Sequence, residues 1–184
     1  MTCICAISNG ETVWMGGDSL GADNRFNCSV RKDKKVFISG EYLIGFTSSF
    51  RMGDILKWSF EPPEMDDKEK NIEKFMANTF ISSVIRALDD NGYGKTENNQ
   101  KEGGEFLVGV RGKIFHVHSD YQIGLYQANF DACGCGRDLA LGSLYTTHKV
   151  GKLSNPKRLE MALEAAQNFS AGVRSPWTIL KIGK

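Results

Sequence analysis

Nothing in this sequence is both long and apolar. Its uninterrupted hydrophobic runs are short, as in Tyr42-Leu43-Ile44, whereas a membrane-spanning helix needs about 20 consecutive apolar residues. Charge of one sign is equally missing. The 23 basic residues stand against 22 acidic ones, for a net charge of +1, which gives no pull towards nucleic acid or another polyanion. The basic cluster Arg31-Lys32-Asp33-Lys34-Lys35 is short and broken by an acid. The N-terminus lacks the basic flank and apolar stretch of a secretory signal. Proline is scarce, with four residues in 184, so no Pro-rich linker divides the chain, and residues 1–184 read as one domain of ordinary globular composition.

Cysteine is present in an odd number. Cys3, Cys5, Cys28, Cys133 and Cys135 suggest reduced thiols in a cytoplasmic protein rather than a disulfide framework. The two C-x-C pairs admit a four-thiolate zinc site; the plainer reading is small thiols buried in strands. Histidine is rarer still. His116 and His118, two apart, would share one face of a strand, but with no third ligand near them in sequence no metal is expected, and no cofactor.

What is present is a rhythm of hairpins and helix pairs. Residues 2–7 and 12–16 read as strands around Asn9-Gly10, a strong hairpin signal. Residues 35–39 and 42–47 flank Gly40-Glu41 as a second hairpin. A short helix near 50–60 stops at Pro62-Pro63. A longer one near 68–89 carries Ile72, Phe75, Met76, Phe80, Val84 and Leu88 at helical spacing. Residues 91–104 are polar and Gly-rich, a surface loop. Strands follow at 105–110 and 113–117 around Arg111-Gly112, then helices near 137–148 and 155–169, then a last strand at 177–182. Hairpins alternating with helix pairs imply an α+β fold of antiparallel sheet covered by helices. Two sheets face to face with helices outside would bury every apolar face.

The chemistry concentrates at the start. Removal of Met1 would leave Thr2 with a hydroxyl and a free α-amine, whose pKa of about 7.7–8 leaves part of it unprotonated near neutrality. One residue then supplies a nucleophile and its own base. The first hairpin returns the chain to this point. A three-residue loop over Asn9-Gly10-Glu11 would put Thr2 opposite Asp18, and a two-residue loop opposite Gly17. Either register brings Asp18 beside the N-terminus; turn capping is its everyday alternative. Lys35, if buried next to Asp18, would lower the proton affinity of the Thr2 hydroxyl and amine. Gly45, a glycine within an apolar strand, suggests close approach of another chain or ligand, and its amide is a candidate oxyanion donor.

Together, Thr2 after a removable Met, Gly17-Asp18, Lys34-Lys35-Val36-Phe37, Leu43-Ile44-Gly45-Phe46, Gly134-Cys135-Gly136 and Ala165-Ala166 through Ser170-Ala171-Gly172 occur in the order and spacing of proteasome β subunits and their bacterial relative HslV. The sequence resembles that family over nearly its whole length. The resemblance implies the N-terminal nucleophile (Ntn) hydrolase fold, a four-layer αββα sandwich, and a threonine-type endopeptidase acting on unfolded polypeptide inside stacked homo-oligomeric rings. It implies Thr2 as nucleophile, Asp18 and Lys35 as the pair that tunes it, Gly45 at the oxyanion hole and Cys135 as support. Ser19, Leu20, Leu43 and Thr47 are implied to contact substrate. Since the chain has no Gly-x-x-x-x-Gly-Lys-Ser/Thr loop, ATP would be consumed only by a separate AAA+ unfoldase. With Met1 alone ahead of Thr2, no longer propeptide is expected. Three departures stand out: Cys135 where the family has serine, and Asn168 and Ala171 where many β subunits have Asp and Ser. They keep open a non-catalytic ring subunit; a small-molecule amidase on the same fold is the other alternative.

Overall fold

The computed structural model describes residues 1–23, 25, 27–97 and 100–183. Two antiparallel sheets form its centre. The first has the order β12-β1-β2-β13, from β1 (Ile4–Ser8), β2 (Thr12–Gly17), β12 (Phe130–Cys133) and β13 (Thr178–Gly183). The second has the order β11-β10-β9-β6-β5, from β5 (Val36–Ser39), β6 (Tyr42–Phe46), β9 (Phe106–Val110), β10 (Lys113–Val117) and β11 (Ile123–Gly124). Two small hairpins flank them: β3 (Leu20–Ala22) with β4 (Cys28–Val30), and β7 (Lys95–Glu97) with β8 (Gln100–Glu102). The second of these lies where the sequence suggested only loop; three-residue strands are too short to show a period.

Side-chain alternation decides the layering. Ile4 and Ala6 of β1 and Val13 and Met15 of β2 face the second sheet, meeting Val36, Leu43 and Leu107 in a fully buried middle layer. The alternate residues Cys3, Cys5 and Ile7 face α4 (Arg137–Val150) and α5 (Asn155–Phe169). Ile44, Phe46, Phe106 and Val108 face the other way, onto α1 (Phe50–Trp58), α2 (Ile72–Phe75) and α3 (Ile81–Asp90). A single π-helical turn, Met76–Phe80, links α2 to α3. The result is the αββα sandwich that the sequence led us to expect.

The first hairpin takes neither anticipated register. Ser8 pairs with Val13 and Ile4 with Gly17, leaving four residues, Asn9 to Thr12, in the connection. Asn9 is the cause: its side-chain oxygen accepts from the amides of Glu11 (3.0 Å) and Thr12 (2.8 Å), a local turn that competes with a tighter loop. The one-residue shift places Cys3, not Thr2, across from Asp18.

Candidate active site

Asp18 follows the last residue of β2, and the shifted register aims its carboxylate at the backbone of the N-terminal strand. Oδ1 accepts from the Cys3 amide at 3.0 Å and from Lys35 Nζ at 2.8 Å. Oδ2 accepts from the amides of Leu20 (2.9 Å) and Arg174 (3.4 Å). Lys35, leading into β5, is 1% exposed. Its ammonium donates to Asp18, to Thr2 Oγ1 at 3.0 Å and to the Met1 carbonyl at 3.5 Å, so all three of its protons have acceptors. Burial pulls the Lys35 pKa below its ordinary value, and the neighbouring Asp18 carboxylate opposes but does not cancel that pull. Thr2, Asp18 and Lys35 therefore converge as the sequence suggested.

Cys135 completes the surroundings of Thr2. Its Sγ lies 3.2 Å from the Thr2 amide nitrogen, which donates to it, and 3.3 Å from the Thr2 carbonyl. Gly134, at φ +89°, precedes it; a Cβ there would collide with that same carbonyl, so the position requires glycine. The Thr2 hydroxyl donates to the Met1 carbonyl. Ser170, after α5, brings its hydroxyl to 3.8 Å from Cys135 Sγ and also accepts from the Gly172 amide at 3.2 Å. Sequence reading placed the departures of this turn at Asn168 and Ala171 and gave Ser170 no role.

Four of the expected assignments do not fit. Gly45 sits inside the second sheet between Val36 and Leu107. Strand amides alternate between neighbours: Phe46 donates to the Lys35 carbonyl and Thr47 to the Glu105 carbonyl, each at 3.0 Å. The Gly45 amide is thus directed into the β9 ladder and not at Thr2. The glycine is required by the facing sheet, since a Cβ would lie 2.5 Å from Met15 Sδ and 2.6 Å from Ile4 Cγ2. Leu43 likewise belongs to the buried middle layer and lines no pocket at Thr2. Ser19 and Leu20 are buried: Ser19 Oγ donates to the Pro176 carbonyl at 2.6 Å, and Leu20 pairs with Val30.

Of the expected contact residues, Thr47 alone reaches the pocket. A cavity of about 50 Å³ beside Thr2 is lined by Lys35, Ala22, Phe46, Thr47, Ser48, Ser49 and Phe50. It adjoins, through Ala22 and Phe50, an open groove of about 290 Å³ that includes Asp23, Ser29 and Arg31. The Arg31 guanidinium lies 4.1 Å from the centre of the Phe50 ring. Ser48 is held at φ +63°, a region unfavourable for side chains other than glycine, while the Ser49 amide closes back on the Thr47 carbonyl at 2.7 Å. Ser49 also caps α1 through the Arg51 amide. The turn therefore presents the N-terminal end of a helix to the pocket. Ser-Ser ahead of an apolar helix is the signal in the sequence that could have found it.

Behind this turn, Glu105 is a junction. Its carbonyl accepts from the Thr47 amide and, at 2.9 Å, the Thr47 hydroxyl. Its amide donates to Ser48 Oγ at 3.0 Å, and its carboxylate accepts from the Gly134 amide. His116 is buried between two carboxylates, with Nδ1 2.8 Å from Asp131 and Nε2 2.9 Å from Glu105. Burial lowers the pKa of this imidazole, but its hydrogen bonds to Asp131 and Glu105 outweigh that and raise it to about 9. It is an imidazolium at neutral pH, joining the first sheet to the second. The thiols do not gather: Cys3 and Cys5 face the α4–α5 layer, and Cys133 faces the middle of the sandwich.

No protein-family model matches the sequence, and no curated protein matches it. Solved structures do. The chain superposes on Thiobacillus denitrificans BPH in complex with epoxomicin with a TM-score of 0.81 and 16% identity, covering 98% of each chain. With Thiobacillus denitrificans BPH alone the TM-score is 0.78 at 19% identity, over 98% of this chain and 97% of the other. With eukaryotic HslV from Trypanosoma brucei it is 0.70 at 16% identity, over 99% of both. The chain has the fold of these proteins. Among its described residues no helix is long and apolar enough to cross a membrane.

Proposed function

We propose that this chain is a threonine-type peptidase subunit whose nucleophile is Thr2 after loss of Met1. The observation that carries this is the Thr2 hydroxyl 3.0 Å from the buried Lys35 ammonium, with the Thr2 nitrogen lying across the same residue. Once Met1 is gone, that nitrogen is an amine 3.2 Å from Cys135 Sγ, free to take the proton from its own Oγ1. Oγ1 then forms the bond to the substrate carbonyl carbon. The tetrahedral intermediate collapses as the amine's proton passes to the leaving nitrogen, and water breaks the resulting ester by the same route. Lys35 stabilises negative charge on Oγ1. Oxyanion stabilisation falls to the Thr47–Phe50 turn and the positive end of α1 rather than to Gly45, a contribution of about 3–4 kcal/mol where such a donor is well placed.

The groove beside the pocket suits an extended, unfolded polypeptide better than a small enclosed amide. The same reading includes assembly with copies of itself into rings, a cytoplasmic location, and an AAA+ unfoldase that would spend ATP on its behalf. Trp58, Tyr145 and Phe169, exposed on the outer helices, offer apolar surface for self-association. The deciding experiment is intact mass before and after incubation with a β-lactone or with epoxomicin, the compound seen with the Thiobacillus protein. Loss of one Met and a single adduct absent from Thr2→Ala are expected. Retained Met1 with no adduct would overturn the peptidase reading and favour a ring subunit without hydrolysis.

A further inference from the structure

The β9–β10 hairpin does more than carry Glu105 to the active-site turn. Its register pairs Phe106 with Val117 and Leu107 with His116, which sets Glu105 across from His118 and diagonal to His116. All three side chains therefore lie on the face directed towards the other sheet. The third ligand that the sequence did not show is supplied by strand pairing. One ligand atom from each of Glu105, His116 and His118 lies within 4.8 Å of the others. The two imidazoles stack with centroids 4.2 Å apart. His116 is buried, whereas Glu105 and His118 are partly exposed, so the group opens to solvent on one side.

We propose that Glu105, His116 and His118 form a binding site for a divalent first-row cation, zinc in the first place. Imidazole and carboxylate are its usual nitrogen and oxygen donors, and three protein ligands leave a fourth position for water. Asp131 on Nδ1 supplies the carboxylate that orients a metal-ligating histidine, presenting Nε2 to the ion. The ion takes the place of the Nε2 proton that now faces Glu105, and that proton leaves to solvent. Asp131 and Glu105 both face the same imidazole, and a divalent cation placed there is the counter-charge to their carboxylates. Zinc at about 2.0–2.1 Å from each donor wants them roughly 3.3 Å apart. Glu105 and His116, at 2.9 Å, have only to part slightly, and the partly exposed His118 ring turns off its stack to join them.

The test is zinc binding by the full chain, measured by isothermal titration calorimetry and by equilibrium dialysis with metal analysis. It does not depend on peptidase activity. One zinc per chain is expected, with affinity lowered at least tenfold in both His118→Ala and Glu105→Gln, and by 10–100-fold in Asp131→Asn, the range for loss of an orienting carboxylate. Circular dichroism establishes that each variant is folded, and His118, a partly exposed ligand outside the His116–Asp131 bridge, is the variant on which the decision rests. A Co²⁺-loaded sample gives a second readout: visible absorption present in the parent and lost in His118→Ala. No stoichiometric uptake by the parent, or equal uptake by folded His118→Ala, overturns the site.

Discussion

Replacing Lys35 with Met keeps the length and most of the volume of the side chain and removes its charge. Asp18 then stays buried without its cation. Breaking a buried pair in this way costs about 3–5 kcal/mol. Here the low end, about 3 kcal/mol, is expected for two reasons. Asp18 keeps the Cys3 and Leu20 amides, and the depressed pKa of Lys35 shows that burying the ammonium already cost stability, which the substitution returns. For a chain of this length a loss of about 3 kcal/mol lowers Tm by roughly 6–12 °C. Thermal and urea denaturation of Lys35→Met, Asp18→Asn and the double variant close a cycle. The double variant should be less destabilised than the sum of the singles by about 1–3 kcal/mol. The pH dependence has a definite sign. Because folding lowers the Lys35 pKa, the unfolded chain binds its proton more tightly, so this group adds stability as pH rises from the lowered folded value through 10.5. Lys35→Met loses that slope. A single-variant loss below about 1 kcal/mol together with additivity in the cycle would refute the buried, coupled pair. Below its Tm the folded variant should also acquire the Thr2 adduct far more slowly than the parent.

Gly45→Ala should lose about 1–3 kcal/mol by overpacking the sheet interface, measured by denaturation. Where it folds it should still accept the Thr2 adduct, because its amide belongs to the β9 ladder; abolished labelling in a folded variant would return Gly45 to the site. His116→Ala leaves Asp131 and Glu105 without the cation between them, and a loss of about 3 kcal/mol is expected; unchanged stability in urea would show that the bridge between sheets carries no weight. A thiol reagent should modify Cys28 and Cys135, the exposed pair, in the native protein, and all five cysteines after denaturation. Cys3, whose pKa burial and Asp18 push up to about 12, should be among the protected ones, and rapid native labelling of it would contradict the buried first strand.

The layered fold was legible because the hairpins announce themselves through their turns and the long helix carries Ile72, Phe75, Met76, Phe80, Val84 and Leu88 at helical spacing; β1, apolar and buried on both faces, shows no alternation of its own. Register was not legible, because it depends on whether the Asn9 side chain turns back on the Glu11 and Thr12 amides, a choice of one hydrogen bond over another. Thr2, Asp18 and Lys35 were found because each lies next to an end of a strand in one of the two N-terminal hairpins, whereas Cys135 came only from the family resemblance, because β12 pairs with β1 across the length of the chain. Gly45 and Leu43 were misplaced for one reason. Both lie within β6, an interior strand, whose amides are committed to its neighbours and whose inward side chains are committed to the facing sheet. The pocket wall comes instead from Thr47 to Phe50, where the strand has ended and the helix begins. Glu105 was missed because its side chain meets His116 diagonally across the β9–β10 hairpin, a register the sequence did not fix, and Asp131 because β12 is too short to announce itself.

The position of β1 has a practical consequence. Chain ends usually fray, but this strand lies between β12 and β2, and the Cys3 amide is tied to Asp18. The residue before the first strand is therefore held as firmly as the middle of the sheet. Met1 itself lines the pocket with Lys35 and Thr47, so residues ahead of it, natural or added, start from the space that the proposed substrate would occupy. A purification tag at this end would act as a tethered occupant of the groove, so labelling and binding experiments need the chain to begin at its own first residue.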